Sequence, residues 1–389
     1  MSTLPQTLAI VLAGGQGSRL HELTAETCKP AIPFAGEHRI IDWTMANLAR
    51  AQVDRVKVAL QYRPKELRRH LTKRWRPVLH RTGLDQVFGP DLCPAGVGFR
   101  GTADAVRQIL LDPETRGYDE ILILSADHIY EMDYDAMLSA HRTSAAGVSV
   151  AYDRVPVAEA RSFGILGAGT DGRVTAFVEK PRTPPVISGD DGMARASMGI
   201  YVFSANWLRA AFVAADPEDV LSLDFGHDIL PMAVATGDLM AFAAGTGTEK
   251  PFYWRDVGTL DAYRAAQVEF ALDQPCGLPD ARMPRPAQPW GDVRGNVRMP
   301  GAMVARGARL TNTIAAPGVA IAEGMVIGED ADEDRKWFRV TDGGTTLVTA
   351  GMVARRTEAR SRQYWLRQMR APRRETAGGR SQAARNFFR

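Results

Sequence analysis

Short apolar runs alternate with amphipathic stretches along the first two thirds of the chain. The run at 8–13 is apolar throughout and leads directly into glycines, which is typical of a strand buried on both faces of a sheet. Similar runs predict strands at 56–60, 120–125, 148–152, 174–178 and 199–203. Helical spacing of apolar residues predicts helices at 41–51, 133–145 and 260–272. Strands that alternate with helices indicate an α/β domain, which we place at residues 1–275.

Proline becomes frequent after this domain. The stretch 274–289 holds five prolines and can sustain neither a helix nor a central strand, so we interpret residues 276–296 as a linker. Beyond it, apolar residues recur six positions apart, as in Val304 and Leu310, which is the spacing of a hexapeptide β-helix. We expect a β-helix of fewer than two coils at 297–353, resting on the first domain or on another subunit. An irregular small β-domain is the alternative.

Composition places the chain among ordinary folded proteins. Of its 389 residues, 45% are hydrophobic and 24% are charged, and no apolar run is long enough to span a membrane. The cysteines Cys28, Cys93 and Cys276 are widely spaced and form no zinc motif, so we expect neither disulfides nor a structural metal. The first residues lack the pattern of a secretion signal. These features favour a cytoplasmic protein that does not bind membranes.

Positive charge is concentrated at the C-terminal end. Residues 354–389 contain eleven arginines against Glu358 and Glu375, while the whole chain has a net charge of only +3, so the remainder is acidic. Such a tail is typical of a solvated extension or of a segment that binds polyanions. Apolar residues between the arginines predict one or two amphipathic helical turns: Tyr364, Trp365, Leu366 and Met369.

A glycine cluster directly after the first strand is the first candidate for chemistry. Gly14, Gly15 and Gly17 allow backbone N–H groups to approach a phosphate at the end of the strand. Arg19 and Lys29 follow, and two cations beside such a turn suit a triphosphate whose leaving group is pyrophosphate. The alternatives are a purely structural glycine turn and a surface lysine.

Longer motifs identify a family. LAGGQGSRL and CKPA resemble the signature of the sugar nucleotidyltransferases. Seven further motifs narrow the resemblance to the ADP-glucose pyrophosphorylases: HRIIDW, FRGTADAV, SADHIY, SFGIL, FVEKP, SMGIYVF and YWRDVGT. The resemblance extends from residue 7 to residue 272 and resumes at 323–334. It implies a Rossmann-like catalytic domain followed by a left-handed β-helix, here shortened, which agrees with the pattern of apolar residues.

The resemblance also implies the reaction ATP + α-D-glucose 1-phosphate → ADP-glucose + pyrophosphate, which would supply ADP-glucose for glycogen synthesis. A sugar-phosphate oxygen attacks the α-phosphorus in line, so catalysis needs positioning and charge neutralisation but no protein nucleophile. The family implies a homo-oligomer, a tetramer, and no nucleic-acid partner. Two alternatives remain: a nucleotidyltransferase for another NTP or hexose 1-phosphate, and a non-catalytic regulatory subunit.

Two carboxylates are the Mg²⁺ ligands that the resemblance implies. Asp127 follows the strand at 120–125, at the sheet edge where α/β sites are built, and Asp256 lies far along the chain. The alternatives are a helix N-cap or turn residue at Asp127 and an ordinary turn residue at Asp256. A hard cation bound to phosphates typically uses one or two protein carboxylates, so Mg²⁺ is the expected cofactor. Arg19 and Lys29 would offset the charge of the leaving pyrophosphate.

The motif FVEKP supplies the sugar-phosphate residues by resemblance. Lys180 would hold the phosphate of glucose 1-phosphate, while Glu179, Ser197 and the backbone of Gly164 would bind the hexose. A neighbouring glutamate and lysine are otherwise typical of a solvated surface.

The motif FRGTADA resembles the loop that closes over the nucleotide. It places Phe99, Arg100, Gly101 and Thr102 in the loop and Asp104 at the start of the following helix. The family usually has an aromatic hydroxyl where Phe99 stands, so stacking remains possible but a hydrogen bond from that position is lost. The alternative is an ordinary helix start capped by Thr102.

Regulation is where the sequence departs most from this family. Members regulated by fructose 1,6-bisphosphate and AMP carry basic residues where this chain has Glu26 and Thr27, although Arg39 matches an effector-binding arginine. An anionic effector would be repelled by Glu26, so we expect such an effector to act weakly.

Overall fold

The computed structural model describes residues 5–93, 96–183, 185, 192–215, 222–246, 251–279 and 289–370. In these residues the strands before the C-terminal β-helix are β1 (Thr7–Leu12), β2 (Pro33–Phe34), β3 (His38–Arg39), β4 (Arg55–Leu60), β5 (Leu84–Phe88), β6 (Glu120–Ser125), β7 (His128–Tyr130), β8 (Val148–Pro156), β9 (Gly164–Ala168), β10 (Val174–Glu179), β11 (Met193–Ser204), β12 (Leu239–Ala243) and β13 (Trp254–Asp256).

Helices connect and flank these strands. They are α1 (Ile41–Arg50), α2 (Lys65–His70), α3 (Gly89–Leu92), α4 (Thr102–Leu110), α5 (Tyr134–Ser144), α6 (Ala205–Ala214), α7 (Leu230–Ala235) and α8 (Leu260–Asp273). Tighter 3₁₀ turns occupy Ser18–Thr24, Lys29–Ala31, Pro113–Gly117 and Ala160–Ser162, and π-helical turns occupy Leu71–Trp75 and Phe225–Ile229.

A nine-stranded mixed sheet organises this part of the chain. Its main path is β10-β9-β11-β6-β1-β4-β5, with β8 beside β11 and β12 beside β8. Strands β6, β1, β4 and β5 are parallel, whereas β11 pairs antiparallel with β6, β8 and β9. Along β1, Ala9 and Val11 belong to one core cluster and Leu8 and Ile10 to another, so both faces of the sheet are covered. The predicted α/β fold class is confirmed.

Most predicted elements lie within one or two residues of their observed positions, including β1, β6, α1, α5 and α8. Strand β11 is much longer than predicted and begins at Met193. Its first half alternates buried Ala194 and Ala196 with the more polar Arg195 and pairs with β8 and β9. Only the second half is a continuous apolar run, so the apolar pattern revealed that half alone.

Eight short strands form the C-terminal β-helix, which is called the coil from here on. They are β14 (Val297–Arg298), β15 (Met303–Val304), β16 (Arg309–Leu310), β17 (Thr313–Ala315), β18 (Ala320–Ile321), β19 (Val326–Ile327), β20 (Arg339–Val340) and β21 (Thr346–Val348). Parallel pairs stack β14 on β17, β15 on β18 and β16 on β19, and β21 adds a third strand beside β17. This is the predicted β-helix, with helix α9 (Ala331–Arg335) inserted before β20.

The predicted number of coils was too small. Each of the three faces carries two stacked strands, and one face carries a third. The sequence predicted fewer than two coils. The inward residues Val297, Val304, Leu310 and Ile314 are separated by seven, six and four positions rather than a constant six. The seven-residue and four-residue steps place Val297 and Ile314 outside a constant six-residue spacing, although both side chains are buried.

The coil packs against the first domain. One apolar cluster joins Leu20 and Phe270 from the first part to Val297, Ile314 and Leu347 from the coil. The coil therefore rests on the first domain, as one of the two sequence-based possibilities proposed. The junction is a shared hydrophobic core.

The last described element is helix α10 (Ala350–Arg370), which crosses the boundary predicted at 353. Met352 joins the core of the coil, and the buried Arg356 guanidinium lies 5.3 Å from the ring centre of Phe338.

The domain boundaries stay predictions, because 280–288 and 371–389 lie outside the described residues, as do the side chains of Tyr364, Trp365 and Met369. In the described part of the chain, none of the helices has the length and apolarity that crossing a membrane requires.

Replacing Ile314 with alanine should destabilise the chain, because its side chain is buried in the core shared by the coil and the first domain. We expect Ile314→Ala to lower the free energy of unfolding by about 3 kcal/mol, measured by urea denaturation. Met303→Ala is the matched control in the coil, since the Met303 side chain is 64% exposed, and it should cost less than about 0.5 kcal/mol. Equal effects of the two substitutions would contradict the shared core.

Candidate active site

A cleft of about 690 Å³ opens beside the C-terminal ends of β1 and β6. This is the edge of a parallel sheet at which ligand sites of α/β proteins are built. Ten of the predicted site residues line it: Gly14, Gly15, Gly17, Arg19, Lys29, Phe99, Gly101, Asp127, Glu179 and Lys180. Residues that are distant in sequence therefore share one cavity.

The glycine turn and Lys29 are in direct contact. Gly17 adopts a left-handed backbone with φ of 66°, and a Cβ built on it would lie 2.7 Å from the Cβ of Lys29. Any larger residue at this position would push Lys29 away and would be strained in its backbone. Gly17 thus allows the glycine turn and the lysine to approach each other at the base of the cleft.

Lys29 bridges the two predicted metal ligands. Its ammonium Nζ lies 2.9 Å from Oδ2 of Asp127 and 2.9 Å from Oδ1 of Asp256. Asp127 stands in the turn between β6 and β7, and the antiparallel pair of β7 with β13 places Asp256 opposite His128. The structure therefore brings together the two carboxylates that the sequence alone could not connect.

Burial and charge act in opposite directions in this cluster. Burial raises the pKa of the Asp127 carboxyl, but the Lys29 ammonium and His128 outweigh it and hold that pKa well below its ordinary value. Burial likewise lowers the pKa of Lys29, and the Asp127 and Asp256 carboxylates more than offset this and raise it. Lys29 and Asp127 are therefore both charged at neutral pH.

The donor set suits a cation that also binds phosphate. Asp127 and Asp256 present oxygen atoms toward one point, which Lys29 occupies, and His128 Nε2 lies 3.6 Å from Asp127 and 3.8 Å from Asp256. The described residues contain no group of three or more histidine, cysteine or acidic side chains placed to enclose a metal ion. Two carboxylates are what Mg²⁺ typically takes from a protein while it binds phosphates, and an Mg²⁺ ion held by Asp127 and Asp256 stays a prediction.

Arg19 reaches the same corner of the cleft. A Cβ built on Gly258 would lie 2.9 Å from Nη2 of Arg19 and 2.9 Å from Oδ1 of Asp256. Gly258 thus leaves open a space that both the guanidinium and the carboxylate border. Arg19 and Lys29 are the two cations next to the glycine turn, as the sequence predicted.

Glu179 and Lys180, two of the predicted sugar-phosphate residues, form another part of the wall. Lys180 Nζ donates a hydrogen bond to Oε1 of Glu179, and the Lys180 side chain is 62% exposed. A Cβ on Gly164 would lie 2.8 Å from Oε2 of Glu179. Gly164 therefore lies directly against this glutamate and leaves room for it.

Four predicted residues are not among those that line the cleft: Asp256 and Gly164, which contact residues of its wall, and Ser197 and Arg100. Ser197 is buried in β11, where its Oγ accepts a hydrogen bond from the N–H of Gly199. Arg100 is exposed, and its backbone N–H donates to Asp104 at 2.8 Å. Their assigned contacts with substrate stay predictions.

The predicted nucleotide loop is held by its backbone. The side-chain amide of Gln61 accepts from the N–H of Phe99 and donates to its carbonyl at 3.1 Å. Gly101 has φ of 114°, and a Cβ there would lie 2.2 Å from the carbonyl oxygen of Leu223. Only glycine fits this close approach, which fixes the loop at the start of α4.

The alternative interpretation of Thr102 as a helix cap is wrong. Gly101 is the N-cap of α4 and Thr102 is its first residue. The Thr102 hydroxyl instead donates to Oδ2 of Asp224 at 2.7 Å and accepts from the N–H of Phe225. This contact connects the nucleotide loop to the segment that passes Glu179.

Sequence analysis missed several residues of the wall. Gln61 directly follows β4, at the same sheet edge as the glycine turn, so the rule that locates α/β sites would have found it. Gly258 stands in the motif YWRDVGT beside Asp256, whereas Asp224 and His227 had no comparable signal, because they follow no predicted strand. Only the folded chain brings them to the cleft.

Comparisons of the sequence with known proteins indicate one family. A sequence profile described as nucleotidyl transferase matches residues 8–272, and one described as GlmU-like C-terminal hexapeptide matches 286–348. A glucose-1-phosphate adenylyltransferase of Jannaschia sp. is 35% identical over 413 residues, covering 91% of this chain and 98% of that protein. Proteins of the same name from Cereibacter sphaeroides and Bradyrhizobium diazoefficiens are each 36% identical and are each covered to 97%, over 91% and 90% of this chain. This chain belongs to the glucose-1-phosphate adenylyltransferase family of nucleotidyl transferases.

Proposed function

We propose that this chain transfers the adenylyl group of ATP to α-D-glucose 1-phosphate, forming ADP-glucose and pyrophosphate. The observation that supports this most is the cluster of Lys29, Asp127 and Asp256 in a cleft that also holds the glycine turn and the Glu179–Lys180 pair. The cluster combines charges of both signs at the point where a triphosphate and a sugar phosphate would meet. Relatives of the same name align with the chain over nearly their whole length.

The nucleotide half of the reaction would use the glycine turn and its two cations. Gly14 and Gly15 line the cleft, and backbone N–H groups around them would bind phosphate oxygens. Arg19 and Lys29 would offset the charge that develops on the leaving pyrophosphate. Bound at Asp127 and Asp256, Mg²⁺ would supply further charge neutralisation at the phosphates.

The sugar-phosphate half would use Lys180 and Glu179. Because Lys180 is largely exposed, its ammonium is free to leave Glu179 and to bind an incoming phosphate. Glu179 would then accept hydrogen bonds from sugar hydroxyls. Held in this way, the phosphate oxygen of the sugar attacks the α-phosphorus without a covalent protein intermediate.

Oligomerisation, regulation, location and pathway remain proposals. We propose a homotetramer in the cytoplasm that supplies ADP-glucose for glycogen synthesis.

Weak regulation by an anionic effector also stays a prediction. The Glu26 side chain is 91% exposed, and its Oε2 forms an ion pair with Nη1 of Arg63 at 3.0 Å. Nη2 of Arg39 lies 3.8 Å from Oε2 of Glu66. Acidic partners therefore already compete with an anion for these cations.

Substrate choice is tested by pyrophosphate release from the purified chain with glucose 1-phosphate and each NTP in turn. We expect kcat/KM for ATP to exceed that for UTP and dTTP by at least about a hundredfold, because a site that pairs with one base rejects the others. A preference for another nucleotide would identify a different nucleotidyltransferase. No turnover with any NTP would favour the regulatory-subunit alternative.

Replacing Asp127 with asparagine should remove most turnover. An amide is a poorer ligand for Mg²⁺ and leaves Lys29 with one fewer carboxylate, so we expect kcat to fall at least about a hundredfold, near 3 kcal/mol. Glu323→Gln is the control, because Glu323 is exposed on the coil. Steady-state kinetics at saturating Mg²⁺ measure the effect. A kcat close to that of the wild type would remove Asp127 from the reaction.

Replacing Lys180 with alanine should chiefly raise the KM for glucose 1-phosphate, because the phosphate it would hold is present in both ground and transition states. We expect an increase of at least about tenfold, with KM for ATP nearly unchanged. Lys336→Ala is the matched control: Lys336 is also 62% exposed and also pairs with a nearby glutamate, Glu333. If the KM for ATP rises instead, Lys180 belongs to the nucleotide half of the cleft.

A further inference from the structure

One hairpin of the C-terminal coil contacts two segments that lead to charged groups at the cleft, those of Arg19 and of Asp256. The hairpin consists of β20, the turn after it and β21. Its first contact is a bidentate ion pair, in which Nε and Nη2 of Arg339 each lie 2.7 Å from a carboxylate oxygen of Glu22. Glu22 lies only three residues after Arg19, in the 3₁₀ segment Ser18–Thr24.

The second contact is at the start of α8. Thr341 Oγ1 donates to Oδ1 of Asp261 at 2.7 Å, and Thr345 Oγ1 donates to the same oxygen. The turn approaches so closely that a Cβ on Gly343 would lie 2.7 Å from Asp261. Asp261 stands five residues after Asp256, so the same hairpin touches the segments of both Arg19 and its carboxylate neighbour.

The segment between Arg19 and Glu22 is strained. His21 has φ of 50° and ψ of −120°, a backbone conformation that side-chain-bearing residues rarely adopt, and it interrupts the helical turns on either side. Such a conformation persists only where the surroundings enforce it. Leu20 and Leu23 are buried on either side, and the Glu22 carboxylate is held from the coil by Arg339. The hydrogen bond from Arg339 also lowers the pKa of Glu22, so the pair is charged at neutral pH.

We propose that Arg339 and Glu22 are positioning residues for the pyrophosphate half of the cleft. The ion pair holds the strained turn at His21, and this turn aims the Arg19 guanidinium at the corner shared with Asp256. The coil thereby contributes to the active site without touching substrate. This inference rests on the proposed function, in which Arg19 binds the leaving pyrophosphate.

The test measures both directions of the reaction in Glu22→Gln, Arg339→Gln and the charge-exchanged double variant Glu22→Arg with Arg339→Glu. A misplaced cation weakens binding of the group it should contact, so each single variant should raise the KM for pyrophosphate about tenfold. The KM for glucose 1-phosphate should stay within about twofold, because Lys180 lies elsewhere in the cleft. The double variant should recover the pyrophosphate KM to within about threefold of the wild type.

Two controls separate positioning from loss of stability. Arg309→Gln breaks a comparable bidentate pair, Arg309 with Glu329, inside the coil and should change neither KM. Glu22 and Arg339 are 31% and 39% exposed, so their single variants should shift the thermal midpoint by less than about 3 °C. Equal increases in both KM values, or none in either, would overturn the proposal.

Hydrogen exchange provides a readout that does not depend on turnover. The amides of residues 14–24 should exchange faster in Glu22→Gln than in the wild type or in Arg309→Gln, because the turn loses its restraint. If the wild type forms no ADP-glucose and Glu22→Gln still exchanges faster than the wild type, the proposed function is refuted and the restraint is supported. Normal turnover with unchanged exchange and an unchanged pyrophosphate KM would refute the restraint alone.

Discussion

The active site depends on one buried ammonium group that lies between two carboxylates. Lys29 is almost fully buried, and a lone charge at that depth would be strongly destabilising. Asp127 and Asp256 make its burial possible, and Lys29 in turn keeps two like charges close together. Three segments separated by about a hundred residues each must therefore meet at one point, and the sheet edge, the β7–β13 pair and the glycine turn are arranged around that requirement.

Glycines make these close approaches possible. Gly17 admits Lys29, Gly258 admits Arg19 beside Asp256, and Gly101 admits the carbonyl of Leu223. In each case a single methyl group would occupy space that a functional or supporting group needs. The coil adds a further support, since its core is continuous with that of the first domain and its hairpin contacts the segment of Arg19. The residues that line the cleft all come from the first domain, and the coil contacts one of the segments behind them.

Much of the fold could be predicted because its core strands are buried on both faces. Such strands appear as uninterrupted apolar runs, and β1 and β6 lie where those runs predicted them. The site was predictable where its residues directly follow such strands, as Gly14 and Asp127 do. The coil was underestimated because its corners differ in length, so the inward residues Val297 and Ile314 fall outside a constant six-residue spacing.

By itself the sequence determined the alternation of strands and helices, the proline-rich break, the repeating coil and the motifs that identify the family. These are local properties, set by the spacing of apolar residues and by short strings around strand ends. Only the tertiary structure decided that Lys29 pairs with Asp127 and Asp256, that the Ser197 hydroxyl bonds to the backbone of Gly199, and that Arg339 reaches Glu22. Those contacts join residues up to 317 positions apart, and the physical reason is that an ion pair depends on distance in space, which local spacing along a chain does not encode.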